Sequence, residues 1–283
     1  MNEQTGNPIF TAVLVFVAGL ATVVVAMAVQ PRSRAAFRRI PALLRAGDLR
    51  RWQLLGGISG ATFVSLQSGL VAATGVAVFT VAAVAGQTAG ALLVDKSGIG
   101  PSGRHPVTVR RVFAAFMGVG GVVVSVSGAD TGTVALAAVI GTLAAGIFVS
   151  SQPALNGQVA AKSGHALAAT LVNFIGGLIV LAAVLAVQQV VAPVALDLPA
   201  APWRDPVIWL GGPFGVFFVM VAAQMAKSLG VFVFTLTSVV GQLSGAVLLD
   251  VVFPTEATNI TAQLIAGLAI TGFAVVLSSD TKK

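Results

Sequence analysis

An all-α polytopic membrane protein is the fold class this sequence predicts, and three observations carry the prediction. Apolar residues make up 57% of 283 and charged residues only 9%, with a mean hydropathy of +0.97. A water-soluble fold of that composition would lack the polar surface to cover its core. The apolar positions come in runs of about 20 residues rather than in ten-residue alternation, and in lipid such runs satisfy their own backbone groups as helices. Finally, the block from Gly56 to Asp95 returns without a gap as Gly211 to Asp250, with 17 of 40 pairs identical. A repeat period near half the chain length marks a duplicated unit.

Taken in order, the runs fall at 8–29, 52–73, 76–95, 112–128, 133–155, 166–187, 206–227, 229–249 and 263–279, which gives about nine transmembrane helices. Run one has a small-x-small triplet, Ala26-Met27-Ala28, of the kind cut behind a secretory signal. It is read as a span instead, because Glu3 and no Lys or Arg precedes it, and because Gly6–Gly19 aligns with Gly164–Gly177 in run six. Runs one to four thus correspond to runs six to nine, with Arg111, Ala114 and Gly120 against Gln263, Ala266 and Gly272. Run five has no mate. The repeat is five helices long: residues 1–130 hold four of them, helix one being absent, and residues 131–283 hold all five. Either the chain has nine spans or its start lies upstream, and the expectation is a start placed too late.

Between the runs, the segment 30–51 is read as a loop with seven of the sixteen Lys and Arg, and 96–111 holds four more. A net charge of +7 and a pI of about 11.1 would suggest nucleic acid if those residues lay on a soluble face. Clustered beside apolar runs, they read instead as topology determinants next to anionic lipid. With 30–51 in the cytoplasm, fifteen of the sixteen fall inside and Arg204 alone outside. Nine spans then put the N-terminus outside and the C-terminus in the cytoplasm, and the membrane is read as a bacterial inner membrane. A repeat with an odd number of helices re-enters from the opposite side, so the halves are inverted, which is the usual construction of secondary transporters.

Polar side chains at membrane depth are the candidates for chemistry. Thr235, Ser238 and Gln242 in run eight lie at i, i+3 and i+7 and share one helical face, and run three offers Thr80 and Gln87 at the matching positions. Two amides on equivalent helices can line a shared cavity or hold helices together. Gln152 and Asn156, at i and i+4, flank Pro153, which removes a helix hydrogen bond and should kink or end run five. They read as substrate contacts or as a capped helix end, and Asn173 with Thr170 in run six as cavity lining or as packing. Gln67 and Gln224 carry less, since they do not align. Glycine pairs at Gly56/Gly60, Gly211/Gly215, Gly86/Gly90 and Gly241/Gly245 are small-xxx-small contacts for close helix packing. Gly75 and Gly230 fall in turns where a positive φ or a close approach calls for glycine. No Asp or Glu sits mid-span: Asp95 and Asp250 lie at span ends and read as terminal caps or interface groups. With no Cys and only His105 and His165, no catalytic residues, no metal and no cofactor are expected, and an enzyme is not expected either. There is no G-x-x-x-x-G-K-[ST] run for nucleotide binding.

The motifs Gly75-x-x-x-Phe79-Thr80 and Gly86-Gln87-x-x-Gly90-x-x-x-x-Asp95, their copies from Gly230 to Asp250, and Gln152-Pro153-x-x-Asn156 with Ser163-Gly164 resemble the YdcZ-type branch of the drug/metabolite transporter superfamily. The resemblance covers nearly the whole chain. It implies a ten-helix, inverted-repeat secondary transporter whose central cavity is built from the first four helices of each half, here a bundle lacking its first helix. The Gln-Pro-Ala-Leu-Asn element occurs once, which leaves one cavity wall open to question. Small multidrug relatives carry a glutamate in their first helix, and its absence here means that proton-coupled export of cations is not carried over. The expected function is alternating-access transport of a small organic solute. The competing expectation is a non-transporting membrane component, such as a lipid-handling or assembly subunit that needs a partner helix. Expected partners are the lipid bilayer, a small-molecule substrate and a second copy or a partner helix, with no nucleic acid.

Overall fold

The computed structural model of the chain describes residues 2–74, 76–113, 115–117, 133–201 and 203–252. These residues form helices and no strand. The longer helices are α1 (Pro8–Val29), α2 (Pro31–Ala46), α3 (Gly56–Thr74), α4 (Val76–Ser97), α5 (Thr133–Val149), α6 (Ser151–Ser163), α7 (Ala166–Val191), α8 (Gly211–Ser228) and α9 (Val231–Val252). Seven of the nine apolar runs lie on them, while run four lies largely, and run nine wholly, outside the described residues. Among the described residues, four stretches are long and apolar enough to cross a membrane by themselves: Pro8–Val29, Leu136–Ser163, Ala166–Val191 and Val207–Ser228. The chain is therefore a helical, membrane-spanning protein.

The helices gather into two compact units, each drawn from both halves of the sequence. The first comprises the described residues of Met1–Gly69, Ile99–Ser102 and Ser151–Ser228, and the second those of Leu70–Gly98, Gly103–Ser150 and Leu229–Lys283.

In the first unit, α1 starts where the sequence supplies a cap: the Asn7 Oδ1 accepts the N–H groups of Ile9 at 2.9 Å and Phe10 at 3.1 Å, and Pro8 occupies the first turn, where its missing N–H costs nothing. Val23 and Met27 of α1 pack against Leu167, Leu171 and Phe174 of α7 and Val216 and Val219 of α8. The α1–α7 contact is reciprocal. Phe16 packs on Phe174 with ring centroids 5.1 Å apart and the rings tilted by 45°, Phe174 fills the space a side chain at Gly19 would take, and Phe16 fills that at Gly177. In the sequence alignment Phe16 is the repeat mate of Phe174, and Gly19 of Gly177.

Glycine placement follows the same pairing. A Cβ on Gly57 of α3 would run into the Asn173 carbonyl and stand 2.8 Å from the Gly177 nitrogen of α7, and one on Gly212 of α8 would stand 2.6 Å from the Gly19 nitrogen of α1. Gly57 and Gly212 are repeat mates. Close contact was expected at Gly211 and Gly215 as well, but there a Cβ would meet only side-chain carbons at 3.6 Å or more. The tight member of that copy is Gly212. Gly57→Ala should therefore lower stability by about 1–3 kcal/mol, because backbone atoms cannot yield to the added methyl. Gly69→Ala, in the same helix but with no atom within 4 Å, should be neutral or stabilising. Thermal unfolding of the two purified variants in detergent compares them, and equal midpoints would contradict the packing described.

The segment 30–51, read from sequence as a loop, is largely helix α2. Pro31 stands in its first turn and Gly47 ends it with φ +79°, the asymmetry of a well-marked helix. Ala36 and Ile40, with Leu49, are buried against Val159 of α6 and Ala168 and Ala169 of α7. High charge hid an apolar stripe at helical spacing.

In the second unit, α4 packs on α5 backbone to backbone. A Cβ on Gly86 would collide with the Leu143 carbonyl, one on Gly90 would come 2.6 Å from the Ile147 oxygen, and one on Gly146 would come 2.6 Å from the Ala83 oxygen. Ala82 and Ala85 close against Val139 beside them. The helical run breaks at Ser150, whose hydroxyl donates to the Ile147 carbonyl at 2.6 Å. It resumes as α6, with Pro153 in the first turn. The helix thus ends ahead of the proline, as expected, but then continues to Ser163 rather than stopping near 155. Gly230 has φ +80°, as the turn reading requires; Gly75 lies outside the described residues.

Candidate functional site

The sequence-predicted residues fall into two groups, one in each unit. In the first unit α6 presents Gln152 and Asn156 one turn apart, and both donate to a single acceptor on α7. Asn173 Oδ1 receives Gln152 Nε2 at 2.9 Å and Asn156 Nδ2 at 2.8 Å. Asn173 is 1% exposed and Asn156 3%. The glycines of α3 make room for this cluster: a Cβ on Gly56 would collide with the Asn156 amide, and one on Gly60 would lie 2.6 Å from Gln152 Nε2. Sequence reasoning found both the amides and the glycines but not that one accommodates the other. Thr170 belongs elsewhere, since its hydroxyl bonds back to the Ala166 carbonyl of its own helix at 3.0 Å. With Asn173 Oδ1 taken twice, the Asn173 amide N–H groups and the carbonyl oxygens of Gln152 and Asn156 have no partner among the described residues. The cluster is neutral and keeps both donor and acceptor capacity.

In the second unit α4 carries Thr80, exposed, and Gln87, half-buried, while α9 carries Thr235, buried, and Ser238, half-buried. The side chain of Gln242 lies outside the described residues. Gly86 and Gly90 next to Gln87 serve the α4–α5 contact. The mate of Gly86 differs: no described atom lies within 4 Å of a Cβ on Gly241.

The strongest electrostatic arrangement of this unit is one the sequence only half disclosed. Asp95, 1% exposed, accepts the Val231 N–H on Oδ1 at 2.8 Å and the Phe232 N–H on Oδ2 at 3.2 Å. The same Oδ2 takes Nη1 of Arg111 at 3.2 Å. The carboxylate thus caps the first turn of α9, where unpaired N–H groups and the positive end of the helix dipole favour an anion. Capping was one of the two readings offered for Asp95, and the helix capped is α9 rather than its own. A Cβ on Gly230 would stand 3.0 Å from Asp95 Oδ2 and 3.1 Å from His105 Nε2, which accounts for glycine at the entrance to α9. Arg111 corrects a reading. Grouped by sequence with the juxtamembrane cations, it is 4% exposed, paired with Asp95, and stacked 5.3 Å from the centroid of Phe232. Asp250, the mate of Asp95, has its side chain outside the described residues. Among the described residues no group of His, Asp and Glu could hold a metal ion.

An all-helical scaffold with apolar spans and with neutral amides buried between its helices is that of a polytopic membrane protein. Comparison with protein families gives the particular group. Residues 1–124 and 137–277 match the family described as "Putative inner membrane exporter, YdcZ". The chain belongs to this YdcZ-type family of the drug/metabolite transporter superfamily, as the sequence resemblance implied. No curated protein and no solved structure matches it.

Proposed function

We propose that the protein is a secondary transporter that carries a small, uncharged or zwitterionic polar solute across the inner membrane by alternating access. In this reading residues 1–130 and 131–283 are inverted repeats with about nine spans in all, and the two halves exchange conformations about a pseudo-two-fold axis. The observation that carries it is the reciprocal packing of repeat mates: Phe16 on Phe174, each over the glycine that mates with the other's. Contacts of the form i to j′ and j to i′ are those a two-fold axis generates. Membership of a family described as exporters supports transport and makes outward movement the direction to test first.

Gln152, Asn156 and Asn173 are the candidate solute contacts of the first unit, and Thr80, Gln87, Thr235, Ser238 and Gln242 are those of the second. Neutral amides and hydroxyls offer a polar solute hydrogen bonds without the cost of burying a charge. The test is flux into or out of proteoliposomes for a panel of metabolites and drugs, under solute and ion gradients. Gradient-dependent flux should appear for at least one polar solute, and Gln87→Ala and Gln242→Ala should reduce it while leaving membrane abundance unchanged. Parallel loss of flux and abundance would assign those amides to helix packing, and no flux for any solute would overturn the proposal.

A further inference from the structure

The arginines of α2 have no role in that reading, and their placement defines a surface. Arg32, Arg34, Arg38, Arg39 and Arg45 of α2, with Arg50 and Arg51 just beyond it, are all exposed, and none enters an ion pair among the described residues. Asp48 is the one acid between 30 and 51. At 100° per residue Arg34, Arg38 and Arg45 form one row on the face opposite the stripe that carries Ala36 and Ile40, and Arg32 and Arg39 form a second along one flank of it. That stripe is already occupied by Val159, Ala168 and Ala169 of the protein itself. The helix therefore cannot lie on the bilayer by its apolar side. Its depth is fixed from the chain: α1 ends at Val29 and α2 begins at Pro31, so the arginine rows start at Arg32, three residues beyond the end of a span. Lys162 nearby is engaged with Gln53 at 3.0 Å and adds nothing to the set.

We propose that α2 is a binding surface for anionic phospholipid headgroups. Their phosphates would be gripped by the two arginine rows and hold α2 down on α6 and α7. Guanidinium forks match phosphate oxygens two at a time, and unpaired basic residues beside a span end are where the potential of an anionic leaflet acts. The consequence reaches the amide cluster. Val159 follows Asn156 by three residues on α6, and Ala169 precedes Asn173 by four on α7, so the surface that seats α2 continues on the same helices that hold the amides. Lipid charge would thereby stabilise the first unit at its polar centre.

The test compares the full-length protein in vesicles of phosphatidylcholine alone and of phosphatidylcholine mixed with phosphatidylglycerol. It follows hydrogen exchange of residues 31–46 and the thermal midpoint. Phosphatidylglycerol should slow exchange there several-fold and raise the midpoint, and added salt should reverse both. The variant Arg34→Gln/Arg38→Gln/Arg45→Gln should lose the response yet keep the wild-type midpoint in phosphatidylcholine. Wild-type exchange that is identical in the two vesicles, or insensitive to salt, would overturn the proposal without recourse to any variant. A triple variant that still responds would overturn it too. Inorganic phosphate added to phosphatidylcholine vesicles should have no effect, and a response equal to that of phosphatidylglycerol would reassign the surface from lipid to a soluble anion.

Discussion

Replacing Asp95 with alanine should destabilise the protein by about 3–5 kcal/mol, the largest effect expected of any single exchange in it. The change strands the Arg111 guanidinium, 4% exposed, without a counter-charge, and leaves the first N–H groups of α9 without their acceptor. Arg111→Leu should cost less, because the carboxylate keeps both backbone donors when its cation is gone. The double variant Asp95→Ala/Arg111→Leu should recover part of the loss of Asp95→Ala, since no charge then remains buried alone. Unfolding in detergent, followed by circular dichroism on all four proteins, gives the coupling energy directly. A stability for Asp95→Ala within about 0.5 kcal/mol of wild type would show that the pair is an exposed one.

The second large effect is expected at Asn173. Its Oδ1 is the common acceptor of the amide cluster, so Asn173→Ala leaves two donors unmet, one buried and one half-buried, where Asn156→Ala or Gln152→Ala removes one donor and leaves the other bond intact. An unmet buried donor costs about 1–3 kcal/mol in water-soluble proteins, while hydrogen bonds at membrane depth average nearer about 0.6 kcal/mol. Asn173→Ala should therefore lose about 1–4 kcal/mol, with the order Asn173, then Asn156, then half-buried Gln152. The ranking tests the branched geometry more sharply than the magnitude does. Equal losses at the three positions would mean that the amides do not share an acceptor. If Gln152 and Asn156 also contact solute, their alanine variants should lose more flux than stability.

Helix identity was legible because the signals that set it are local. Runs of apolar residues, Asn7 before Pro8, and Pro153 behind Ser150 each act within a turn or two of the chain, and the helices begin and break near them. The glycine repeat was legible as close packing, but which member is tight was not, because Gly212 rather than Gly211 or Gly215 meets backbone across the contact. That depends on the rotation of α8 against α1. α2 was missed for a different reason. Seven arginines masked five apolar residues at helical spacing, Ala36, Phe37, Ile40, Leu43 and Leu44, and a charge count without a helical wheel reads such a segment as loop. Asp95 with Arg111 was the hardest, since the two are 16 residues apart and the cap target 136 away. The one hint was an acid where run three ends and a base just before run four begins. In the amide cluster the residue types were evident from the sequence and their convergence on Asn173 was not.

The distance from Asp95 to Val231 also sets a problem for synthesis. Asp95 and Arg111 leave the ribosome close together, but the α9 backbone they serve follows 136 residues after Asp95. At about 5–20 residues per second that is an interval of about 7–27 s, during which Arg111 is already made while Val231 and Phe232 are not. Pairing with Arg111 would keep the two charges neutralised together while the rest of the chain is inserted. On this view the arginine acts as a placeholder in biogenesis, and a variant lacking it should be made and inserted with more losses to proteolysis than its folded stability alone would account for.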